Sequence, residues 1–461
     1  MPRAGNRLGD ILIDIGKLSE TELTKALAIQ KAEEVERRLG EILIEQGCIT
    51  EEDLQQALHL QRTRMWEKKV PQVPQVTAHK PVNQIVASII NEALEREVSD
   101  IHIEPFPDRL RVRYRIDGVL HEMAQLPMDI HKELVARVRV MADLDIIQRG
   151  IPQDGSIVLD KHEFRVSIFP FIYGDKIVLR VLNPPATLAI EELGLQGRAL
   201  DQYQQLIRRP SGLILATGPT GSGKTTTLTA SLKTINSPQI NISTVEDPPE
   251  YRIENINQTQ VNPRKGIDFA SALRYLFRQD PDVIMIGEIR DEETAQMATR
   301  AALTGHLVFS TLHSNSAVGT VPRLLNMGAE PYLLAATLRG VIAQRLVRKL
   351  CGSCKQQAQL EKWEQKIFEI HLRGAAESVK TIYRPIGCTQ CSNRGYRGRT
   401  GIFELLVVNE RIRDMIAERA SDEKIIQEAI NSGMTTLIGD GLRKVIGGIT
   451  SMEEVLWHMG Q

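Results

Sequence analysis

Apolar positions recur at helical spacing twice near the N-terminus, and the two stretches are one unit written twice. Residues 7–30 carry Arg7-Leu8-Gly9, then Leu12, Leu18, Leu23, Leu27 and Gln30; residues 38–61 carry Arg38-Leu39-Gly40, then Leu43, Ile49, Leu54, Leu58 and Gln61. Each copy predicts a short amphipathic helix ending near a glycine, Gly16 or Gly47, and then a second helix. Ser19 with Glu22, and Thr50 with Asp53, have the spacing of an N-cap and its returning acidic partner. A helical repeat domain over 1–69 follows. Leucine spacing is what a small bundle needs. The Arg-Leu-Gly openings and closing glutamines are not required by packing on this reading, so a duplicated ligand site competes with the bare bundle. The stretch 70–80, with prolines at Pro71, Pro74 and just beyond at Pro81, reads as a linker.

From Val82 to Arg96 the period is helical, and strand signals follow it. Strict alternation from Arg109 to Gly118 puts four arginines on one face of a strand, which is either simply solvated or has its like charges relieved by an anionic partner or a neighbouring subunit. Two later strands, Phe164 to Ile168 and Ile177 to Leu182, each set one arginine, Arg165 or Arg180, among apolar neighbours. An arginine so placed needs a partner, either a carboxylate or a phosphate. Residues 81–190 therefore form a middle α+β domain. A continuous apolar strand, Ile214-Leu215-Ala216, opens the next region, 195–350, and runs straight into a turn and a helix.

That turn changes the picture. Gly218-Pro219-Thr220-Gly221-Ser222-Gly223-Lys224-Thr225-Thr226 matches G-x-x-x-x-G-K-[ST] between a strand and a helix, which is a phosphate-binding P-loop. The glycines let backbone N–H groups turn onto phosphates. Lys224 reaches the β- and γ-phosphates of ATP, and the Thr225 hydroxyl holds Mg²⁺. The strand Ile242 to Val245 ends in Glu246 and, after two prolines, Glu250. Glu246 is the first candidate to orient or deprotonate the attacking water, with Glu250 next. The buried strand Asp282 to Ile286 delivers Glu288 to hold Mg²⁺ through water. His306 and His313 flank a short strand and would sense the γ-phosphate or a neighbouring subunit, although a lone histidine there is commonly a core residue.

Fifty-seven basic residues balance 58 acidic ones in 461, which argues against a protein built to coat nucleic acid. No apolar run approaches the ~18 residues needed to span a bilayer, so a soluble cytoplasmic protein is expected. Four of the five cysteines form two C-x-x-C pairs, Cys351/Cys354 and Cys388/Cys391, in an arm over 351–395. Two such turns can supply four thiolates for a structural Zn²⁺, with a helix from Leu360 to Leu372 filling the gap; the alternative is unligated surface cysteines. The remainder, 396–461, reads as a helical segment.

The P-loop, the Thr-Val-Glu-Asp-Pro-Pro-Glu-Tyr box, the strand carrying Gly-Glu-Ile-Arg-Asp, and Thr-Gly-His-Leu-Val-Phe-Ser-Thr-Leu-His resemble, in this order, the four signatures of type II secretion and type IV pilus ATPases, the GspE/PilB family. The resemblance runs from about Pro81 to the C-terminus. It implies a RecA-like P-loop core preceded by an α+β (PAS-like) domain, a homo-hexamer, ATP between those domains and Arg165 and Arg180 facing its phosphates. It also implies a motor that works at the inner membrane through a platform protein, and a zinc knuckle typical of extension motors. Ser316 stands where the family pattern has Asp. The N-terminal repeat resembles the domain of the mannose-sensitive haemagglutinin pilus ATPase that binds cyclic di-GMP. That likeness implies a site from Arg7, Leu8, Gly9, Gln30, Arg38, Leu39, Gly40 and Gln61, with Gly9 and Gly40 admitting the ligand, whereas related ATPases use the domain to dock a partner. Two rival functions remain at this stage. One is a weakly hydrolysing scaffold that acts as a cyclic di-GMP switch; the other is a DNA translocase, which the net charge of −1 disfavours.

Overall fold

The computed structural model describes residues 8–19, 21–26, 39–50, 53–54, 57, 81–148, 150–160, 162–182, 189–372 and 379–459. It divides into two compact units, one of 1–73 with 386–395 and the other of 74–385 with 396–461. No helix among the described residues is long and apolar enough to cross a membrane.

In the first unit the helices Leu8–Asp14 and Leu39–Glu45 occupy the same place in each repeat. Ile11, Leu12, Leu18 and Ala26 of one copy form a single core with Ile42, Leu43, Ile49 and Ala57 of the other. Both caps form as the spacing predicts. Glu22 N–H donates to Ser19 Oγ at 3.3 Å and Ser19 N–H returns to Glu22 at 2.8 Å; Thr50 and Asp53 repeat the exchange at 3.2 and 3.0 Å. The glycines lie against the following helices. A Cβ on Gly9 would lie 2.5 Å from Leu23, and one on Gly40 would lie 2.8 Å from Leu54. The end of a leucine side chain from the following helix lies against each glycine, so a larger residue there would make that leucine shift.

The second unit begins with the helix Val82–Glu95 and a six-stranded antiparallel sheet. Its strands are β1 (Asp100–Pro105), β2 (Arg109–Ile116), β3 (Val119–Pro127), β4 (Gln153–Leu159), β5 (His162–Phe171) and β6 (Gly174–Leu182), in the order β3-β2-β1-β6-β5-β4. Strand β2 alternates buried and half-buried residues throughout, and the buried Tyr114 hydroxyl donates to the Ile89 carbonyl at 2.7 Å, tying sheet to helix. The arginine row finds its anions at home. Glu104 on β1 receives Arg111, Arg113 and Lys176 at 3.0, 2.7 and 2.9 Å, and Asp100 pairs with Arg115 at 3.5 Å. Burial alone would raise the Glu104 carboxyl, but hydrogen bonds from Arg113 and Lys176 outweigh it and bring it down to about 2. No outside anion is required to hold the row together.

The larger sheet has seven strands: β7 (Gly212–Thr217), β8 (Ile242–Glu246), β9 (Asn257–Gln260), β10 (Val283–Ile286), β11 (Leu307–Leu312), β12 (Leu338–Leu350) and β15 (Tyr396–Val407), ordered β15-β12-β7-β11-β10-β8-β9. Neighbours from β12 to β9 run parallel, and β15 pairs antiparallel along nearly all of β12. Strands β7, β8, β10 and β11 are buried at every position, as a parallel sheet with both faces covered requires. The helix Lys224–Ile235 belongs to the core on one face, and Glu292–Leu303 to the core on the other. One expectation needs correction: Tyr396–Val407, taken as the start of a helical segment, is the edge strand of this sheet, because the long strand β12 offers a free edge and β15 carries the apolar residues to cover it. Helices follow it, from Glu410–Ala417 to Met452–Met459. In the cysteine arm, β13 (Gln356–Gln359) pairs with β14 (Thr381–Arg384), and the predicted helix spans Lys362–His371.

Candidate functional site

In a parallel sheet the loops at the carboxyl ends of the strands share one edge, and this is where the chemistry gathers. Strand β7 ends at Thr217, and the loop Gly218–Gly223 leads into the helix that starts at Lys224. Gly218 has φ 147°, and a Cβ there would stand 2.6 Å from the Gln344 carbonyl, so the loop is pressed flat against β12. Gly223 at φ 89° starts the helix in a conformation open to glycine. Lys224 Nζ folds back to donate to the carbonyls of Gly218 at 2.8 Å and Pro219 at 3.1 Å. Burial drives its pKa down to about 8, with the negative charge of Glu288 opposing that shift.

Glu288 follows β10 and is only 17% exposed; it pairs with Arg290 at 2.5 Å and faces His313 Nε2 at 3.8 Å. The two Asp-box carboxylates part company. Glu246, at the end of β8, is 5% exposed, and one of its oxygens accepts from Thr244 Oγ1 at 2.7 Å and Gln258 Nε2 at 2.9 Å. It binds β8 to β9. Glu250 instead lies beside the Thr225 side chain and within electrostatic reach of Lys224 and Arg180; burial raises its pKa, against the pull of those groups. The secondary candidate is thus the carboxylate that meets the P-loop.

The histidines are at opposite ends of β11. The Nδ1 of His306 lies 3.0 Å from the Ala301 carbonyl, and the ring packs by Phe277, 5.9 Å between centroids. It is at the amino end of the strand, away from this chain's own P-loop, because β7 and β11 run parallel. His313 is at the P-loop end, and burial together with Lys224 lowers its pKa. Beyond it Ser316 Oγ accepts from the Gly319 N–H at 3.1 Å, a turn contact that a short oxygen-bearing side chain such as serine or aspartate can make. Arg165 and Arg180 are cross-strand partners on one face of β5 and β6; Arg180 pairs with Asp100 at 2.9 Å. Leu8, Gly9, Leu39 and Gly40 lie in the repeat core or in contact with it. Arg7, Gln30, Arg38, Gln61 and the linker 70–80 lie outside the described residues. The sulphurs of Cys351, Cys354, Cys388 and Cys391 all lie within 4.8 Å of one another.

Sequence reading passed over Arg290, Gln258 and Gln344, each of which holds one of these groups in place. Gln344 alone carried a signal, as an amide inside the apolar strand Val341 to Val347.

A sequence profile described as "Type II/IV secretion system protein" matches residues 75–457. The chain is 47% identical over 381 residues to the type II secretion system ATPase E of Vibrio cholerae, spanning 82% of this chain and 75% of that protein. It is 43% identical over 395 residues to the type IV pilus assembly ATPase PilB of Myxococcus xanthus, 84% and 70% of the respective lengths. Among solved structures, the pilus retraction motor PilT with bound ADP superposes with a TM-score of 0.56 at 30% identity, over 81% of this chain and 96% of that one.

Proposed function

Since the chain belongs to the type II/IV secretion system protein family, we propose that it is an ATPase that couples hydrolysis of ATP to ADP and phosphate to protein secretion or pilus assembly. The observation that carries this reading is the convergence of Lys224, Glu288, His313 and Glu250 on one loop at the carboxyl edge of the sheet. The cradle fits phosphate: a side chain at Gly218 would collide with its back wall, and the loop opens a helix whose N-terminal N–H groups favour an anion. Lys224 carries the charge for the β- and γ-phosphates. Thr225 and Glu288 would hold Mg²⁺, which supplies positive charge to the same oxygens. Glu250, beside Thr225 and with its pKa raised, is the better placed base for the attacking water, and Arg180 with Arg165 supplies charge from the middle domain. The test is Lys224→Ala. The variant should stay folded and lose hydrolysis by at least about a hundredfold, and near-wild-type turnover would sink the assignment.

Assembly is proposed as a homo-hexamer that meets the inner membrane through a platform protein. Its support is the exposed apolar tip of the middle domain, where Phe169, Phe171, Ile172 and Tyr173 are each half or more exposed. Four thiolates grouped as in the cysteine arm suit tetrahedral zinc. Metal analysis of protein never exposed to chelator should find one zinc per chain, and finding none would remove that part of the proposal. Cyclic di-GMP regulation rests only on the duplicated repeat. Calorimetric titration of the full chain should give one ligand bound, and no heat at high micromolar ligand would leave the repeat as a docking module.

A further inference from the structure

Strand β12 carries Val341-Ile342-Ala343-Gln344-Arg345-Leu346-Val347, two polar side chains in an apolar run that lies inside the sheet. Gln344 is 1% exposed and Arg345 is 5% exposed. Burying an amide and a guanidinium is costly unless something binds them, so their partners indicate why they are there.

Both face the P-loop from behind. Strand β12 runs parallel to β7 with Ala343 opposite Thr217, which brings Gln344 level with Gly218. The Gln344 carbonyl is the wall that excludes a Cβ from Gly218. Its side-chain Nε2 donates to the Ser222 carbonyl at 2.8 Å and would lie 3.1 Å from a Cβ on Gly223. Arg345 Nη1 donates to the Gln344 carbonyl at 3.0 Å, and Nη2 donates to the Asn315 carbonyl at 3.1 Å, in the segment that follows His313.

The Ser222 contact has a directional consequence. In a trans peptide the C=O of one residue and the N–H of the next point in opposite directions. A Ser222 carbonyl held back toward β12 therefore aims the Gly223 N–H forward, into the concave side of the loop. A glycine on each side of Ser222 would otherwise leave that peptide free to turn over. Meanwhile Ser222 Oγ, Gln344 Oε1 and Arg345 Nε are buried with no hydrogen-bond partner. A strand selected for stability alone would carry apolar side chains here.

We propose that Gln344 is a positioning residue that sets the Ser222-Gly223 peptide of the P-loop for phosphate, and that Arg345 ties this loop to the His313 segment. The proposal rests on the ATPase reading and deepens it.

The test uses the full-length chain. Gln344→Met keeps the length and most of the volume while removing the donor to Ser222 and the orphan Oε1. It should raise the dissociation constant of a fluorescent ADP analogue, and KM for ATP, at least tenfold. Because a misaimed N–H weakens ground state and transition state alike, kcat should change less than threefold. The melting midpoint of nucleotide-free protein should not fall. Gln344→Glu, which turns an acceptor toward the Ser222 carbonyl, should bind nucleotide more weakly still. Arg345→Lys loses the second arm of the fork, so it should lower kcat more than it raises KM. Wild-type affinity in Gln344→Met, or a loss of affinity that simply follows a falling midpoint, would overturn the positioning role. A KM effect without a kcat effect in Arg345→Lys would overturn the tie. Wild-type protein that binds no nucleotide would instead overturn the ATPase reading, so the two failures are distinguishable.

Discussion

Glu246 and Glu250 stand four residues apart, and their surroundings assign them different work. One oxygen of Glu246 already accepts two hydrogen bonds from Thr244 and Gln258, whereas Glu250 lies beside Thr225 within electrostatic reach of Lys224. Glu250→Gln should therefore cut kcat by ~10²–10⁴-fold, the range for a positioned acid or base, and leave nucleotide affinity within a few-fold. Glu246→Gln keeps the shape and should cost much less turnover; the reverse ranking in steady-state rates would restore Glu246 as the base. Glu250 and Lys224 set the pH profile. Glu250 must be ionised to take a proton, and burial raises its pKa, so kcat/KM should fall on the acid side at a pH above the ordinary carboxylate value. Lys224 must be protonated to attract phosphate, and its pKa is lowered to about 8, so kcat/KM should also fall as pH rises through about 8. A profile flat to pH 10 would remove Lys224 from phosphate binding.

Among the elements, the N-terminal hairpins illustrate how a small residue sets the distance between two helices. Gly9 and Gly40 each face the end of a leucine side chain of the next helix, which a methyl group would force to move. Gly9→Ala and Gly40→Ala should each destabilise the repeat by about 1–3 kcal/mol through overpacking, despite the better helix propensity of alanine. Urea unfolding followed by helical circular dichroism measures this, and an unchanged or raised midpoint would return these glycines to a ligand-facing role. Near-equal losses from the two variants are expected because the repeats are equivalent.

For the molecule as a whole, the exposed tip of the middle domain is the feature that a single chain leaves without purpose. Ile172 is 93% exposed with aromatic residues on both sides of it. Ile172→Asp adds a charge where nothing in the monomer packs, so the monomer's stability should be unchanged. Assembly by sedimentation, and any turnover that depends on it, should be reduced. Intact assembly in this variant would mean that the hexamer is built on another surface.

The P-loop, Glu288, the cysteine pairs and the helix caps were legible in the sequence because each depends on residues close together along the chain, where spacing stands in for geometry. So were the buried strands, which announce themselves as apolar runs, and the alternating β2. What lay beyond reach was decided by neighbours distant in sequence. The relief of the arginine row came from Asp100 and Glu104 on the adjoining strand. The place of β15 followed from the free edge of β12, and the work of Gln344 from lying level with Gly218. His306 and His313 look alike in sequence, and only the parallel pairing of β7 with β11 shows which of them reaches the loop. A sequence pattern records which side chains are available. Whether a carboxylate holds two strands together or meets the P-loop depends on what the fold packs against it.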